Sequence, residues 1–437
     1  MPRLKRVAII GAGPSGLVTA KTLLHSFPHG TFSPTIFEKS HRIGGLWPSE
    51  PSITGHGATT ASRGLISPSM RTNLSRFSVA FSDLAWESVL GDADADAEVP
   101  VFPQAWQVGR YLEKYAERYI PDGVLRLGAE VVQTDRGVAV DGLRAGWTVR
   151  WVERSVDGDC GKDAVKSEQF DYLVVTSGYF AKPHFPDIPG LDRFGDNVVH
   201  STELQSPEDV QRLIDRSGSS GPGGKLVVVG GSMSGVEAAS TLALHLSSLN
   251  LSPGQSGRDY EVHHVCSRPF WTIPTYLPHS YSQGTSQAQT KDTPFLPLDL
   301  VLYDLGRRPP GPIEHGFGPP STQQIGKING YFSSLLGEDY TRTGSFGITN
   351  PNPKLTSTST PTPTPTPQPP WVAIGDDYAE YVRAGSITVT IGRVSNIHTD
   401  PDPDTSKTNL PSLTITLPQT QTNPTSHPPK PSPTSPP

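Results

Sequence analysis

Two glycine-rich turns carry the chemistry that this sequence can perform. The first is Gly11-Ala12-Gly13-Pro14-Ser15-Gly16. It follows a short apolar run, Val7-Ala8-Ile9-Ile10, and precedes Leu17, Ala20 and Leu24, which share one helical face. In such a strand–turn–helix unit each glycine has its own task. Gly11 permits the tight turn, Gly13 lets the backbone approach a pyrophosphate, and Gly16 lets the helix pack close to the strand. The helix start at Pro14 and Ser15 then offers free N–H groups and the positive end of a dipole to phosphate. Thr35-Ile36-Phe37-Glu38 is the next strand, and Glu38 lies 22 residues beyond Gly16. A carboxylate there can accept hydrogen bonds from ribose hydroxyls, and Lys39 beside it joins the same binding set. This turn alone does not choose between FAD and NAD.

The second turn is Gly230-Gly231-Ser232-Met233-Ser234-Gly235, after Leu226-Val227-Val228-Val229. Ser232 stands where a middle glycine is usual. Its N–H can still face a phosphate, but its Cβ limits close approach. Val236, Ala239, Ala243 and Leu246 form the helical stripe that follows, and residues 260–265 form the next strand. That strand is followed by Ser267-Arg268 and not by an acid. An acid would favour NAD, whereas a guanidinium suits the 2′-phosphate of NADPH. Gly230, Ser232, Ser234, Gly235, Ser267 and Arg268 are the expected NADPH contacts.

The elements around these turns must position them. Residues 106–119 are expected to be helical, and residues 129–152 to form antiparallel strands. Residues 170–178 read as one buried strand ending in a glycine turn. Residues 183–189 hold several prolines and suit a crossing between domains. Residues 356–370 alternate Thr, Ser and Pro, and residues 419–437 are similar. Neither stretch can pack a core; the first is expected to be an extended, exposed insertion and the second to be disordered. Strands are expected at 387–391 and 413–417.

Composition narrows the function classes. The chain has 437 residues with 34% hydrophobic, which allows two or three domains with ordinary cores. A formal net charge of −6 without a basic patch argues against nucleic acid as a partner. No apolar run reaches membrane-span length, and residues 7–10 are too few for a secretory signal, so a cytoplasmic location is expected. The two cysteines, Cys160 and Cys266, form no Cys-x-x-Cys pair, which excludes a dithiol redox centre. They are expected to be buried or incidental thiols. No residue spacing suggests a metal site.

A family resemblance rests on further motifs. Arg42-Ile43-Gly44-Gly45-Leu46-Trp47 resembles the Arg-x-Gly-Gly-x-Trp stretch of the flavin-containing monooxygenases. The resemblance implies that Gly45, Leu46 and Trp47 lie along the flavin's phosphate and ribityl portion. Met70-Arg71-Thr72-Asn73-Leu74-Ser75-Arg76-Phe77, with Phe81-Ser82-Asp83, is similar to the family segment that sets an asparagine beside the flavin. It implies a catalytic role for Asn73 near the flavin's reactive edge, with Thr72 beside it. Phe194 and His200 match a family linker motif, Phe-x-Gly-x-x-x-His, although Asp196 stands in place of the glycine and Leu204 in place of the aromatic that follows. The lack of tryptophan at Leu204 argues against a Baeyer–Villiger enzyme. His200 reads as a hinge residue or as a satisfied surface histidine.

The resemblance implies an α/β fold with two Rossmann-like dinucleotide-binding domains. The second would be inserted in the first, with an antiparallel β connection. Residues 1–205 would open the FAD domain, 206–355 would bind NADPH, and 356–370 would be an insertion. Residues 371–417 would return to the FAD domain, and 418–437 would be a Pro-rich tail. No Ala-Thr-Gly-Tyr stretch follows the return, so the FAD domain is expected to be C-terminally truncated. The implied activity is an NADPH-dependent flavin monooxygenase of the N,N-dimethylaniline monooxygenase type (EC 1.14.13.-). It would use FAD, NADPH and O2 to oxygenate an amine nitrogen or sulfide sulfur of a small molecule through a C4a-hydroperoxyflavin. An uncoupled NADPH oxidase or flavin reductase, and a non-enzymatic remnant, are the alternative readings.

Overall fold

The computed structural model describes residues 3–49, 65–90, 99–137, 146–154, 165–180, 182–216, 224–231, 233–250, 260–278, 294–306, 321–336, 371–399 and 411–416. The expected insertion at 356–370 and the tail at 419–437 lie outside them, as do Cys160 and Ser232.

The first unit starts with β1 (Lys5–Ile10), α1 (Pro14–His25) and β2 (Phe32–Glu38). Short α2 (Glu87–Leu90), amphipathic α3 (Ala105–Tyr119) and β3 (Leu125–Leu127) follow. Next come β4 (Ala129–Arg136), β5 (Trp147–Glu153), β6 (Lys166–Phe170) and β7 (Tyr172–Val175). The parallel sheet has the order β3-β2-β1-β7, and β4-β5-β6 is antiparallel. One face of the parallel sheet packs on α1 and α3 through Val7, Ile9, Leu17, Ala20, Tyr111 and Tyr115. Ala8 and Phe37 point to the other face and meet Val149, Trp151 and Phe170 of the antiparallel sheet. The alternation of one strand thus joins two layers. Gln104 and Gln107 cap α3 reciprocally, which satisfies donors at its first turn.

The expected strand over 170–178 divides into two. Phe170 ends β6 in the antiparallel sheet, and Tyr172 begins β7 in the parallel one. Asp171 makes the division, because its carboxylate accepts from the backbone N–H of Arg6 at 2.8 Å and from Arg3 at 3.0 Å. β7 is also less buried than expected, with Val175 at 64% exposure.

The second unit runs through α4 (Pro207–Arg216), β8 (Lys225–Val229), α5 (Met233–Asn250) and β9 (Glu261–Cys266). It continues with β10 (Trp271–Ile273), β11 (Tyr276–Pro278), β12 (Phe295–Pro297), α6 (Leu298–Gly306) and α7 (Thr322–Leu336). Then come β13 (Val372–Ile374), α8 (Asp377–Arg383), β14 (Ile387–Ile391), β15 (Arg393–Thr399) and β16 (Pro411–Thr416). β8, β9 and β14 form a parallel sheet in the order β14-β9-β8. Its core joins Val210, Leu226, Val236, Ala239, Val262, Phe270, Tyr378 and Ile387.

Residues 371–391 therefore correct an expectation. They were expected to return to the first unit, but β13 pairs with β10 and β14 pairs with β9, both in the second. Among the described residues, no strand after β7 joins the first sheet. Strand patterning identifies a buried strand but not its partner, since any parallel edge accepts the same apolar alternation. β15 and β16 form a hairpin, and Ile397 N–H donates to Pro189 O at 2.9 Å, which ties the hairpin to the proline-rich crossing.

A buried histidine braces the second unit. His264 of β9 is fully buried, and its Nε2 lies 2.7 Å from the Gly230 carbonyl oxygen. A carbonyl only accepts, so Nε2 carries the proton. In the neutral ring Nδ1 is then the acceptor, and the Tyr378 hydroxyl of α8 donates to it at 2.7 Å. Burial holds the imidazole pKa below its usual value. In the unfolded chain the group titrates near the usual ~6.5. The unfolded state therefore binds more protons as pH falls, and the stability that His264 contributes is fully present above about pH 6.5 and lost below it. A denaturant midpoint measured from about pH 7.5 down to about pH 5.5 should fall more steeply in the parent chain than in a His264→Gln variant. Identical slopes would exclude His264 as a source of the acid sensitivity.

Candidate functional site

The two glycine turns have the same construction. Gly11 has φ 105° and Gly230 φ 129°, a region that side-chain-bearing residues rarely enter. Gly11 N–H donates to Phe37 O at 2.8 Å, and Gly230 N–H donates to Val265 O at 2.9 Å. Each first glycine is thus tied to the second strand of its own unit. The third glycines match as well. A Cβ on Gly16 would lie 1.9 Å from Gly11 O, and one on Gly235 would lie 1.8 Å from Gly230 O. Only glycine lets each helix start this close to its turn.

The first turn is held from three sides. Glu38 is buried, and its two oxygens accept from Ala12 N–H and Ser40 N–H, both at 2.8 Å. The carboxylate expected to meet a ribose is thereby engaged in shaping the turn, with one further lone pair left on each oxygen. Thr176 Oγ1 donates at 2.8 Å to Ile10 O and stands 3.1 Å from Gly11 O. Gly44 N–H donates to Ala12 O at 3.0 Å. This last bond brings the Gly44-Gly45 turn against the first loop, where a Cβ on Gly45 would lie 3.3 Å from Gly13 Cα. Arg42 reaches back to the carbonyls of Ile43, Gly45 and Trp47 and closes that turn. No side chain caps the N-terminus of α1, and its first turn holds no acid. Ser15 and Lys39 are exposed beside it, and Leu46 and Trp47 are half-buried.

Thr72 is buried, donating its hydroxyl to Leu74 O at 2.7 Å and its N–H to Pro103 O at 2.9 Å. These bonds fix the backbone on either side of Asn73, whose side chain is exposed and bonds to none of the described residues. His200 caps a 3-10 turn, Ser201–Glu203, by accepting from Thr202 N–H, so it is a satisfied structural histidine.

In the second unit, Ser234 and Ser267 are exposed. The Arg268 guanidinium stacks 3.6 Å from the Trp371 ring centroid, a close cation–π contact. Arg268 has no carboxylate partner among the described residues. Cys266 is buried, and burial pushes its thiol up to about 12, so it is an inert thiol, as expected. Sequence reasoning did not single out Thr176, His264 or Tyr378. Only the His263-His264 pair inside an apolar strand gave a signal for any of them.

The sequence model described as flavin-binding monooxygenase-like matches residues 4–244. A flavin-containing monooxygenase of Arabidopsis thaliana, FMO GS-OX-like 6, is 29% identical over 202 residues, covering 45% of this chain and 40% of its own. FMO GS-OX2 of the same organism is 25% identical over 308 residues, covering 69% and 60%. A solved S-allyl-L-cysteine S-oxygenase from Allium sativum is 26% identical with a TM-score of 0.42, covering 66% of this chain and 54% of that one. The chain spans about half the length of the curated relatives it matches. Since the match takes in more than half the sequence, both glycine turns included, the chain belongs to the flavin-binding monooxygenase-like family.

Proposed function

We propose that the chain is an FAD-dependent, NADPH-using monooxygenase that transfers one oxygen atom from O2 to an amine nitrogen or sulfide sulfur of a small molecule. The observation that carries this reading is the repetition of one strand–glycine–helix construction, once with a buried acid after it and once with an arginine.

The residues present fit the two cofactors. At the first turn, a Cβ on Gly13 or Gly45 would narrow the space between the facing loops, and the uncapped start of α1 offers its N–H groups there. This suits an FAD pyrophosphate crossing Gly13, Pro14, Ser15 and Gly16, with Gly45, Leu46 and Trp47 along its other side. At the second turn, Gly230, Ser234 and Gly235 would meet the NADPH pyrophosphate. Ser267 and Arg268 would meet the 2′-phosphate, where stacking on Trp371 holds the guanidinium plane while leaving its edge free for bidentate bonding.

Bound flavin supplies hydride acceptance and oxygen activation. The chain's own residues bind, orient and exclude. Thr72 fixes the backbone at Asn73, so that its amide can present a donor and an acceptor to a bound ring. Glu38 keeps the first turn open to phosphate. No nucleophilic side chain is required.

A second reading is an NADPH oxidase or flavin reductase, which would release peroxide in place of an oxygenated product.

The purified chain should carry a flavin spectrum or regain one with FAD, and NADPH under air should drive oxygen uptake. Oxygenated amine or sulfide equal to the NADPH consumed supports the monooxygenase. Peroxide equal to NADPH selects the oxidase, and a chain that neither holds nor regains flavin sinks both. Arg268→Ala should raise the KM for NADPH roughly 10- to 100-fold, by loss of charged hydrogen bonds, and leave that for NADH nearly unchanged. An equal rise for both cofactors would remove Arg268 from the 2′-phosphate site.

A further inference from the structure

Asp299, in the first turn of α6, reaches out of the second unit and into the first. Its Oδ1 accepts from Ser75 N–H at 3.1 Å. Its Oδ2 accepts from Ser75 Oγ at 2.7 Å and from Ser78 Oγ at 2.6 Å. Ser75 is fully buried and lies two residues after Asn73. Three hydrogen bonds to one carboxylate, from residues more than 220 positions away in the chain, make a specific contact. Ser75 itself opens a turn of the first unit, since Ser78 N–H and Val79 N–H both donate back to its carbonyl oxygen, so the Asp299 carboxylate meets that turn at its start. Phe102 meets Tyr276 edge-on at 5.2 Å and provides a second contact between the same two regions.

A line of bonds runs on from Asp299 to the second glycine turn. Leu298, beside Asp299, is buried against Trp271, and its N–H donates to Thr275 O at 2.8 Å. Thr275 N–H donates to Asp376, the residue before α8, at 2.9 Å. Within α8, Tyr378 donates to His264, which donates to Gly230 O. Every link is a hydrogen bond or a step of at most two residues along the chain.

We propose that Asp299 is a positioning residue that clasps the segment bearing Asn73 to the second unit and so sets that segment's place relative to the Gly230 turn. Its consequence for turnover rests on the FAD and NADPH reading above. Loosening the clasp leaves the first glycine turn intact, because none of the bonds that shape that turn passes through Asp299. It frees Asn73 from its register with the nicotinamide-binding side.

The test compares Asp299→Ala, Asp299→Asn and the milder Ser78→Ala in the full chain. Amide hydrogen exchange without added cofactor should quicken over residues 70–80 in Asp299→Ala, by roughly tenfold or more, and stay unchanged over α1. Asparagine keeps an acceptor for Ser75 N–H, and its amide donates to the two hydroxyls, so Asp299→Asn should recover most of the protection. With FAD and NADPH under air, Asp299→Ala should keep the parent's flavin affinity while the share of NADPH ending as peroxide rises several-fold. Ser78→Ala should show both effects more weakly, and it serves if Asp299→Ala does not fold. Unchanged exchange over 70–80 in Asp299→Ala and Ser78→Ala would overturn the proposal. So would quickened exchange with an unchanged peroxide share in a parent that turns over. Quickened exchange in a chain that binds no flavin would uphold the clasp and sink the redox reading instead.

Discussion

The fold depends on a steric constraint repeated in two places. A helix starts so close to the strand before it that the third glycine of the turn has a carbonyl oxygen where a Cβ would sit. At α1 the first-turn N–H groups have no side-chain cap, and in a turn of this kind they aim out of the carboxyl end of a parallel sheet. Dipole, free donors and absent side chains then converge on one spot. No other residue could serve at the third glycine, since a Cβ there would overlap the carbonyl oxygen of the first. The first sheet supports the arrangement by burying both faces, α1 and α3 on one side and the antiparallel sheet on the other.

The two turns differ in how their carbonyls are satisfied. At the first, Thr176 donates its hydroxyl to Ile10 O beside Gly11, whereas His264 serves the Gly230 carbonyl of the second with an imidazole. A hydroxyl does not titrate in the accessible pH range, but an imidazole does. The second turn is therefore coupled through Tyr378 to α8, and through the burial of His264 to pH. The first turn is instead coupled to Glu38, which binds its backbone directly and without an intermediary. One construction thus has two different mechanical environments.

Sequence reasoning read the local part of this well. Gly11, Gly16, Gly230 and Gly235 are legible because their demands act within a few residues. The capped helix over 105–119 is legible from its apolar spacing. The split at Asp171 was not, because its cause is a bond to Arg6, 165 residues earlier. Residues 371–391 were given strand character correctly at 387–391 but assigned to the other sheet, since alternation does not encode a partner. Glu38 was identified by its position, yet its bonds to Ala12 and Ser40 depend on a loop that doubles back.

Asp299 is the extreme case of what periodicity hides. In the sequence it is an acid at a helix start, where a carboxylate is favoured for reasons of its own. Nothing nearby marks it as the acceptor of Ser75 and Ser78. An apolar contact such as Phe102 against Tyr276 resists separation but tolerates sliding, because dispersion has little direction. A carboxylate with three convergent donors tolerates neither, since each bond weakens steeply once its angle is lost. Two units that must present separate ligands to one another need control of register more than adhesion. A directional ionic group at the seam, set beside an aromatic contact, supplies the first where hydrophobic burial supplies the second.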